Sequence, residues 1–337
     1  MGLAHRLGIQ RSSIRETLKG LLSDRLRAEL KIKCIAFTVA CVAIAYTGYD
    51  YYDEDVETFE SARRSANVAL LETAIGKMRY RVYGADNEPV VVLVHSFNGF
   101  IETWNPNIDS LVDQGFKVVA YDLWGRGYSD RPRIELSLAV FRTQLANLID
   151  HVGASRVTLI GSSFGSVIVS DFAIQFPERV SSVVMLGPAG WPKPGFDSSV
   201  IADIPGVGDT LFHYRGVALT RSAVDAYFLD PAGHEWVVQQ WDQFANYPGF
   251  SRSALSTLRH APVRDYTSGW QALGQADTPV LVLWGKQDVS FPYDNAATMR
   301  TYVPNASVVG VEGAAHWVNI ERSKQVNQLI AEFLVGR

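Results

Sequence analysis

Cysteine is nearly absent. The two present, Cys34 and Cys41, fall in one apolar stretch near the N-terminus. Seven residues apart on a helix, they share a face and cannot bridge to each other. The rest of the chain therefore has no disulfide framework and no cysteine-based metal site. A charge excess is missing too: 31 Lys and Arg stand against 35 Asp and Glu, a formal net charge of −4. That balance gives no general basic surface for nucleic acid, which is not expected as a partner. No internal repeat and no low-complexity tract interrupts the 337 residues, which excludes solenoids, propellers and long biased linkers. With 47% hydrophobic and 20% charged residues, the composition is that of an ordinary globular protein. The length suits one large α/β domain carrying an insertion, or two modest domains.

The N-terminal region differs from the remainder. Residues 34–49 form an uncharged run of about 16 residues, between a buried helix and a comfortable membrane span in length. The flank before it, residues 1–33, is basic, and the flank after it carries Asp50, Asp53, Glu54, Asp55, Glu57 and Glu60. Tyr46, Tyr49, Tyr51 and Tyr52 suit an interfacial belt. These features predict an N-terminal membrane-anchor-like helix, single-pass, with the N-terminus cytoplasmic and the larger domain on the far side. The alternatives are a signal peptide cleaved near Ala43-Ile44-Ala45, with secretion, or a packed amphipathic helix. Residues 7–18 resemble the turn and recognition helix of a GntR-type winged helix. The few residues before them and the apolar run after them favour a basic amphipathic helix at a membrane surface.

Farther along, residues 50–74 read as a connector with a helix over 56–74. Short apolar, β-branched runs then alternate with helical patterns. Strands are expected at 77–83, 90–94, 116–123, 157–162, 180–186, 279–284 and 306–311, and helices at 136–151, 165–176, 294–302 and 318–335. This alternation predicts an α/β fold, a mostly parallel sheet with helices on both faces. It breaks over 189–277, which is rich in aromatic residues and has helical stretches near 220–229, 232–245 and 251–259. That segment reads as a helical cap inserted between core segments 75–188 and 278–337.

The chemistry centres on Gly161-Ser162-Ser163-Phe164-Gly165, which follows a strand and opens a helix. A G-x-S-x-G pattern there is the context of a nucleophile elbow. Serine needs a base, and the base an orienting acid. The chain order expected after such an elbow is acid, then histidine. Asp288 follows the strand 279–284, and His316 lies in Glu312-Gly313-Ala314-Ala315-His316-Trp317 before the last helix. Both sit at C-terminal strand ends, where parallel sheets build their sites. Ser163, Asp288 and His316 are therefore the expected triad. Acyl transfer also asks for donors to the oxyanion. The N–H of Phe164 is one, and the N–H of Phe97 in His95-Ser96-Phe97-Asn98-Gly99 is the other. His95 is assigned to the shape of that loop. Asn98 and Trp191 are assigned to the substrate pocket, with a turn-capping role as the alternative for Asn98.

Taken together, the His95–Gly99 loop, Asp122-Leu123-Trp124-Gly125-Arg126-Gly127-Tyr128-Ser129-Asp130, the Ser163 elbow, Asp288 and the His316 loop resemble the α/β-hydrolase superfamily, specifically its capped serine hydrolases of the esterase and lipase kind. The resemblance covers residues 75–335 and implies an α/β-hydrolase fold, with Arg126 and Asp130 fixing their turn. The haloalkane dehalogenases and related epoxide hydrolases have an aspartate nucleophile, and Ser163 argues against both. The C–C hydrolases usually carry a glycine-richer oxyanion loop, which sets them second. The expected activity is cleavage of a small acyl or lipid-like carboxylic ester through an acyl-enzyme. The alternative is C–C or lactone hydrolysis by the same triad. The triad supplies both nucleophile and proton transfer, so no metal or organic cofactor is called for.

Overall fold

The computed structural model describes residues 26–41, 56–86, 89–192 and 198–335. The chain divides into two units, Met1–Asp53 and Glu54–Arg337.

In the first unit, residues 26–41 form helix α1, exposed along its whole length. Cys34 and Cys41 are free and exposed on it. Among the described residues no helix is long and apolar enough to cross a membrane. This overturns the single-pass anchor expected at 34–49 and the topology drawn from it. The physical reason lies in the charges: the first half of the described helical stretch carries Arg27, Glu29, Lys31 and Lys33, which a bilayer core admits only at high cost. Residues 42–49, the cleavage-like Ala43-Ile44-Ala45 and the segment 7–18 lie outside the described residues.

The second unit opens with helix α2 (Val56–Ala66) and strands β1 (Leu70–Glu72) and β2 (Lys77–Tyr83). The connector expected to be helical to 74 is thus helix and then strand. Next come β3 (Val90–Val94), α3 (Asn105–Asp113), β4 (Lys117–Tyr121), α4 (Leu138–His151), β5 (Val157–Ser162), α5 (Phe164–Gln175) and β6 (Val180–Leu186). Among the described residues four α-helices follow before the next strand: α6 (Val207–Asp225), α7 (Glu235–Ala245), α8 (Phe250–His260) and α9 (Thr267–Leu273). The chain then returns through β7 (Val280–Gly285), α10 (Asn295–Tyr302), β8 (Ala306–Val311), α11 (Val318–Glu321) and α12 (Ser323–Val335).

The eight strands form one sheet in the order β1-β2-β4-β3-β5-β6-β7-β8. β2 runs antiparallel to β1 and β4; from β4 to β8 every pairing is parallel. Parallel strands covered on both faces need apolar side chains at every position, and β3 (VVVLV) and β7 (VLVLWG) supply them. The period-2 alternation of strand side chains sorts them into two cores. Val92, Val94, Val183, Met185, Val280 and Val282 face one layer, with Leu145 of α4, Val167 of α5 and Met299 of α10. Val91, Leu93, Val184, Leu186, Leu281 and Leu283 face the other, with Ile108 of α3 and Val326 of α12. A third apolar cluster joins Phe100, Tyr128 and Trp317 of the core to Tyr227, Phe228, Trp241, Phe244 and Phe250 of the helical insert. Phe59 of α2 belongs to it as well. The C-terminal ends of the parallel strands lie along one edge of the sheet, and the loops leaving them build the site.

Candidate active site

Ser163 stands between the end of β5 and the start of α5, with φ 53° and ψ −114°. Besides it, only Asn67 among the described non-glycine residues has positive φ. Such a backbone costs about 1–3 kcal/mol and persists only where its surroundings over-determine it. Here they do. Ser163 N–H donates to Leu186 O (2.8 Å), and Ser163 O accepts from Ser166 N–H (2.9 Å) and Ala189 N–H (3.2 Å). The flanking glycines are required by contact: a Cβ on Gly161 would lie 2.4 Å from Gly165 O, and one on Gly165 would lie 2.1 Å from Val94 O. The elbow is therefore wedged between β3 and α5.

Asp288 lies three residues beyond β7. Its Oδ1 accepts from the N–H groups of Ser290 (2.8 Å) and Phe291 (2.9 Å), and its Oδ2 lies 2.7 Å from His316 Nδ1. Both side chains are fully buried. A carboxylate can only accept, so Nδ1 carries the proton and Nε2 presents its lone pair. Nε2 has no hydrogen-bond partner among the described residues. Hydrogen bonds between nucleophile and base are often long before substrate binds. Gly187 carries the connection back to Ser163: it follows Leu186, and a Cβ there would lie 3.3 Å from His316 Nδ1 and 3.4 Å from Asp288 Oδ2.

The His316 loop is fastened from three sides. Gln287 Oε1 accepts from Gly313 N–H (2.9 Å) and Ala314 N–H (3.2 Å), and Glu321 accepts from Ala315 N–H (2.7 Å). Trp317 N–H donates to Tyr227 O of the insert (3.1 Å). Trp317 Nε1–H donates to Ser96 Oγ (3.1 Å), so Ser96 ties the Phe97 loop to the His316 loop.

Residues 96–99 form a tight turn closed by Gly99 N–H to Ser96 O (2.9 Å). His95 holds it from below. Leu123 N–H donates to His95 Nε2 (2.9 Å), which leaves Nδ1 to donate to Ser96 O (2.7 Å). Burial drives the His95 pKa down to about 3, so the ring is neutral. Asn98 is buried; its Nδ2 donates to Tyr227 Oη (3.2 Å) and Thr220 O (3.4 Å). Trp191 is built into an aromatic stack with Trp270 and Tyr302, their rings 5.9 and 6.4 Å away. Its link to the site runs through its neighbour Trp284, whose Nε1–H donates to Phe291 O (2.8 Å).

The sequence did not single out Tyr227. Its ring centre lies 4.7 Å from that of His316, and burial raises its hydroxyl pKa to about 12, with Asp288 adding to the effect. It was one aromatic among many in the insert, and no spacing marked it. Among the described residues no cluster of three or more His, Cys, Asp or Glu could hold a metal ion.

Comparison with known proteins bears directly on this arrangement. A family profile described as "alpha/beta hydrolase fold" matches residues 89–210, and one described as "TAP-like protein" matches residues 247–336. A solved structure, the enol-lactonase from Burkholderia xenovorans, superposes with a TM-score of 0.67 at 20% identity, covering 79% of this chain and 100% of that one. The chain belongs to the α/β-hydrolase superfamily. Two curated hydrolases are similar along most of their length. The 2-hydroxy-6-oxo-6-phenylhexa-2,4-dienoate hydrolase of Comamonas testosteroni is 24% identical, covering 73% of this chain and 88% of its own. The 2-hydroxy-6-oxononadienedioate/2-hydroxy-6-oxononatrienedioate hydrolase of Burkholderia vietnamiensis is 25% identical, covering 84% and 99%. At the level these relationships carry, the protein is a hydrolase. They lend no support to membrane association through the N-terminal segment.

Proposed function

We propose that this α/β hydrolase cleaves a carboxylic ester through an acyl-enzyme on Ser163. The observation that carries the reading is the buried His316–Asp288 pair, 2.7 Å apart, whose outer nitrogen is unpartnered on the sheet edge that presents the strained Ser163. His316 Nε2 takes the hydroxyl proton as Ser163 Oγ attacks the carbonyl carbon. Asp288 holds the ring in the required tautomer and offsets the imidazolium charge. The N–H groups of Phe97 and Phe164 face the oxyanion; Phe164 opens α5, where a first-turn N–H has no partner within the helix. His316 then protonates the departing alcohol as the C–O bond breaks. Water, deprotonated by His316, attacks the acyl-enzyme, and the acid leaves with Ser163 restored.

A second reading keeps the same residues and changes the bond to C–C or lactone hydrolysis. It is favoured by the names of the two curated relatives, both dienoate-type hydrolases. A side-by-side panel of simple acyl esters, lactones and vinylogous diketones separates the two. The expected result is turnover of esters above the others, with Ser163 labelled by a fluorophosphonate. Ser163→Ala is expected to abolish labelling and lower kcat on the order of 10⁴-fold or more while staying folded. An unlabelled wild type refutes the acyl-enzyme, and a preference for diketones moves the assignment to the second reading.

A further inference from the structure

Arg126 was expected to fix its own turn with Asp130. The structure gives Asp130 other partners: its carboxylate accepts from Lys77 N–H (2.6 Å) and pairs with Arg63 (2.6 Å). The Arg126 side chain leaves the turn and crosses to the 96–99 loop. Its Nε–H donates to Phe97 O at 2.5 Å, and the guanidinium carbon lies 4.5 Å from the centre of the Phe97 ring and 5.7 Å from that of Phe250. Arg126 is 3% exposed, and its Nη1 has no hydrogen-bond partner among the described residues.

A second buried arginine shows what this fold does when it needs only glue. Arg79, 1% exposed, is met by the carboxylates of Glu102 and Asp122. Arg126 has no carboxylate within ion-pair distance among the described residues. An unpaired buried charge costs several kcal/mol. That burial lowers the Arg126 pKa to about 9, which still leaves it charged at neutral pH. A cost of this kind is retained where the charge has work to do, and the group in its reach is the turn that carries the Phe97 N–H.

We propose that Arg126 is a positioning residue for the oxyanion-binding turn, fixing the Phe97 carbonyl and placing a positive charge beside the turn that carries the Phe97 amide. This rests on the acyl-enzyme reading above. Negative charge develops near that amide only in the transition state, so the effect falls on kcat and leaves KM nearly unchanged.

The test uses the full chain with three substitutions. Arg126→Met keeps the apolar stem, Arg126→Gln keeps an N–H donor without charge, and Arg126→Lys keeps the charge without the planar fork. On a neutral p-nitrophenyl ester, Met and Gln are expected to lose about 10²-fold in kcat, with KM within about threefold. Lys is expected to recover at least about tenfold over Gln. Affinity for a boronic acid, which binds serine as a tetrahedral anion, should fall in the same order. Should Arg126→Met fail to fold, the order of Lys and Gln decides alone. A Gln variant as active as Lys, or all variants within about threefold of wild type, overturns the proposal. Fluorophosphonate labelling separates the two claims. A labelled wild type with a flat variant series removes the role of Arg126 alone; an unlabelled wild type removes the acyl-enzyme and this role with it.

Discussion

His95 and His316 are both fully buried and both follow a strand of the same sheet, yet their hydrogen bonds set them apart. His95 has a partner on each ring nitrogen, Leu123 N–H on one and Ser96 O on the other. His316 has one on Nδ1 and none on Nε2. A ring satisfied on both sides is part of the scaffold, and a ring left open on one side can move a proton. The neutral His95 has a consequence for stability. Its folded pKa, about 3, is depressed from the ordinary 6.5 by burial. The unfolded chain therefore takes a proton that the folded protein refuses once pH drops below 6.5. Stability from this group is fully present above pH 6.5 and is lost as pH falls toward 3, with a slope of about 1.4 kcal/mol per pH unit. Urea unfolding at pH 7, 5.5 and 4 should show that decline. His95→Gln, which keeps an acceptor for Leu123 N–H, should be less stable at pH 7 but show a shallower decline; an unchanged slope would show that His95 is not the group responsible. Part of this scale was legible: chain order and strand ends single out Asp288 and His316, which the structure pairs, and the turn at Ser163, which it gives a positive φ. Tyr227 and the reach of Arg126 to Phe97 were not, because each spans two segments that only the folded chain brings together.

At the scale of elements, the elbow is the tightest joint. Gly165→Ala would place a Cβ 2.1 Å from Val94 O, a backbone atom that cannot swing aside. The variant should lose several kcal/mol or fail to fold, and any folded fraction should escape fluorophosphonate labelling. Gly153→Ala, where nothing lies within 4 Å and only φ of 72° resists, should cost about 1 kcal/mol and keep full labelling. Equal labelling of both variants would refute the packing account. The contact that demands glycine is also what made the elbow readable from sequence. Elements without such a signature were missed or misjudged. β1 has three residues, too few for an alternating pattern. α3 begins Asn105-Pro106 and has only 9 residues, few for a helical pattern to show in. α6 runs from Val207, well before the expected 220, because Gly208 and Gly216 depress its helical signal. Those glycines serve packing: a Cβ on Gly216 would lie 2.6 Å from Ser251 Oγ of α8. The last helix, expected whole over 318–335, breaks at Arg322 (φ −126°, ψ 40°) into α11 and α12.

Within the larger unit, Glu54–Arg337, the sheet and its helices were legible from alternation. What was not legible is how α2, the core and the insert share one apolar seam. Phe59 is the residue through which α2 enters it. Phe59 is buried at 5% exposure, with the guanidinium carbons of Arg63 and Arg131 each 4.2 Å from its ring centre. Its ring lies 5.4 Å from Tyr247 of the insert, while Arg63 Nε–H donates to Tyr128 O of the core (2.8 Å). One side chain on α2 thus touches both the core and the insert. Phe59→Ala removes the ring that two arginines flank and leaves a cavity in the seam, a change that costs about 3 kcal/mol or more. Thermal unfolding should shift down by several degrees, as expected for a unit of this size. Because the same cluster holds Phe100, next to the 96–99 turn, and Trp317, next to His316, kcat should fall as well. The Phe59→Leu variant, which refills most of the volume without the cation–ring contacts, should restore most of the lost stability. A Phe59→Ala protein melting within about a degree of wild type would show that α2 lies on the seam without holding it.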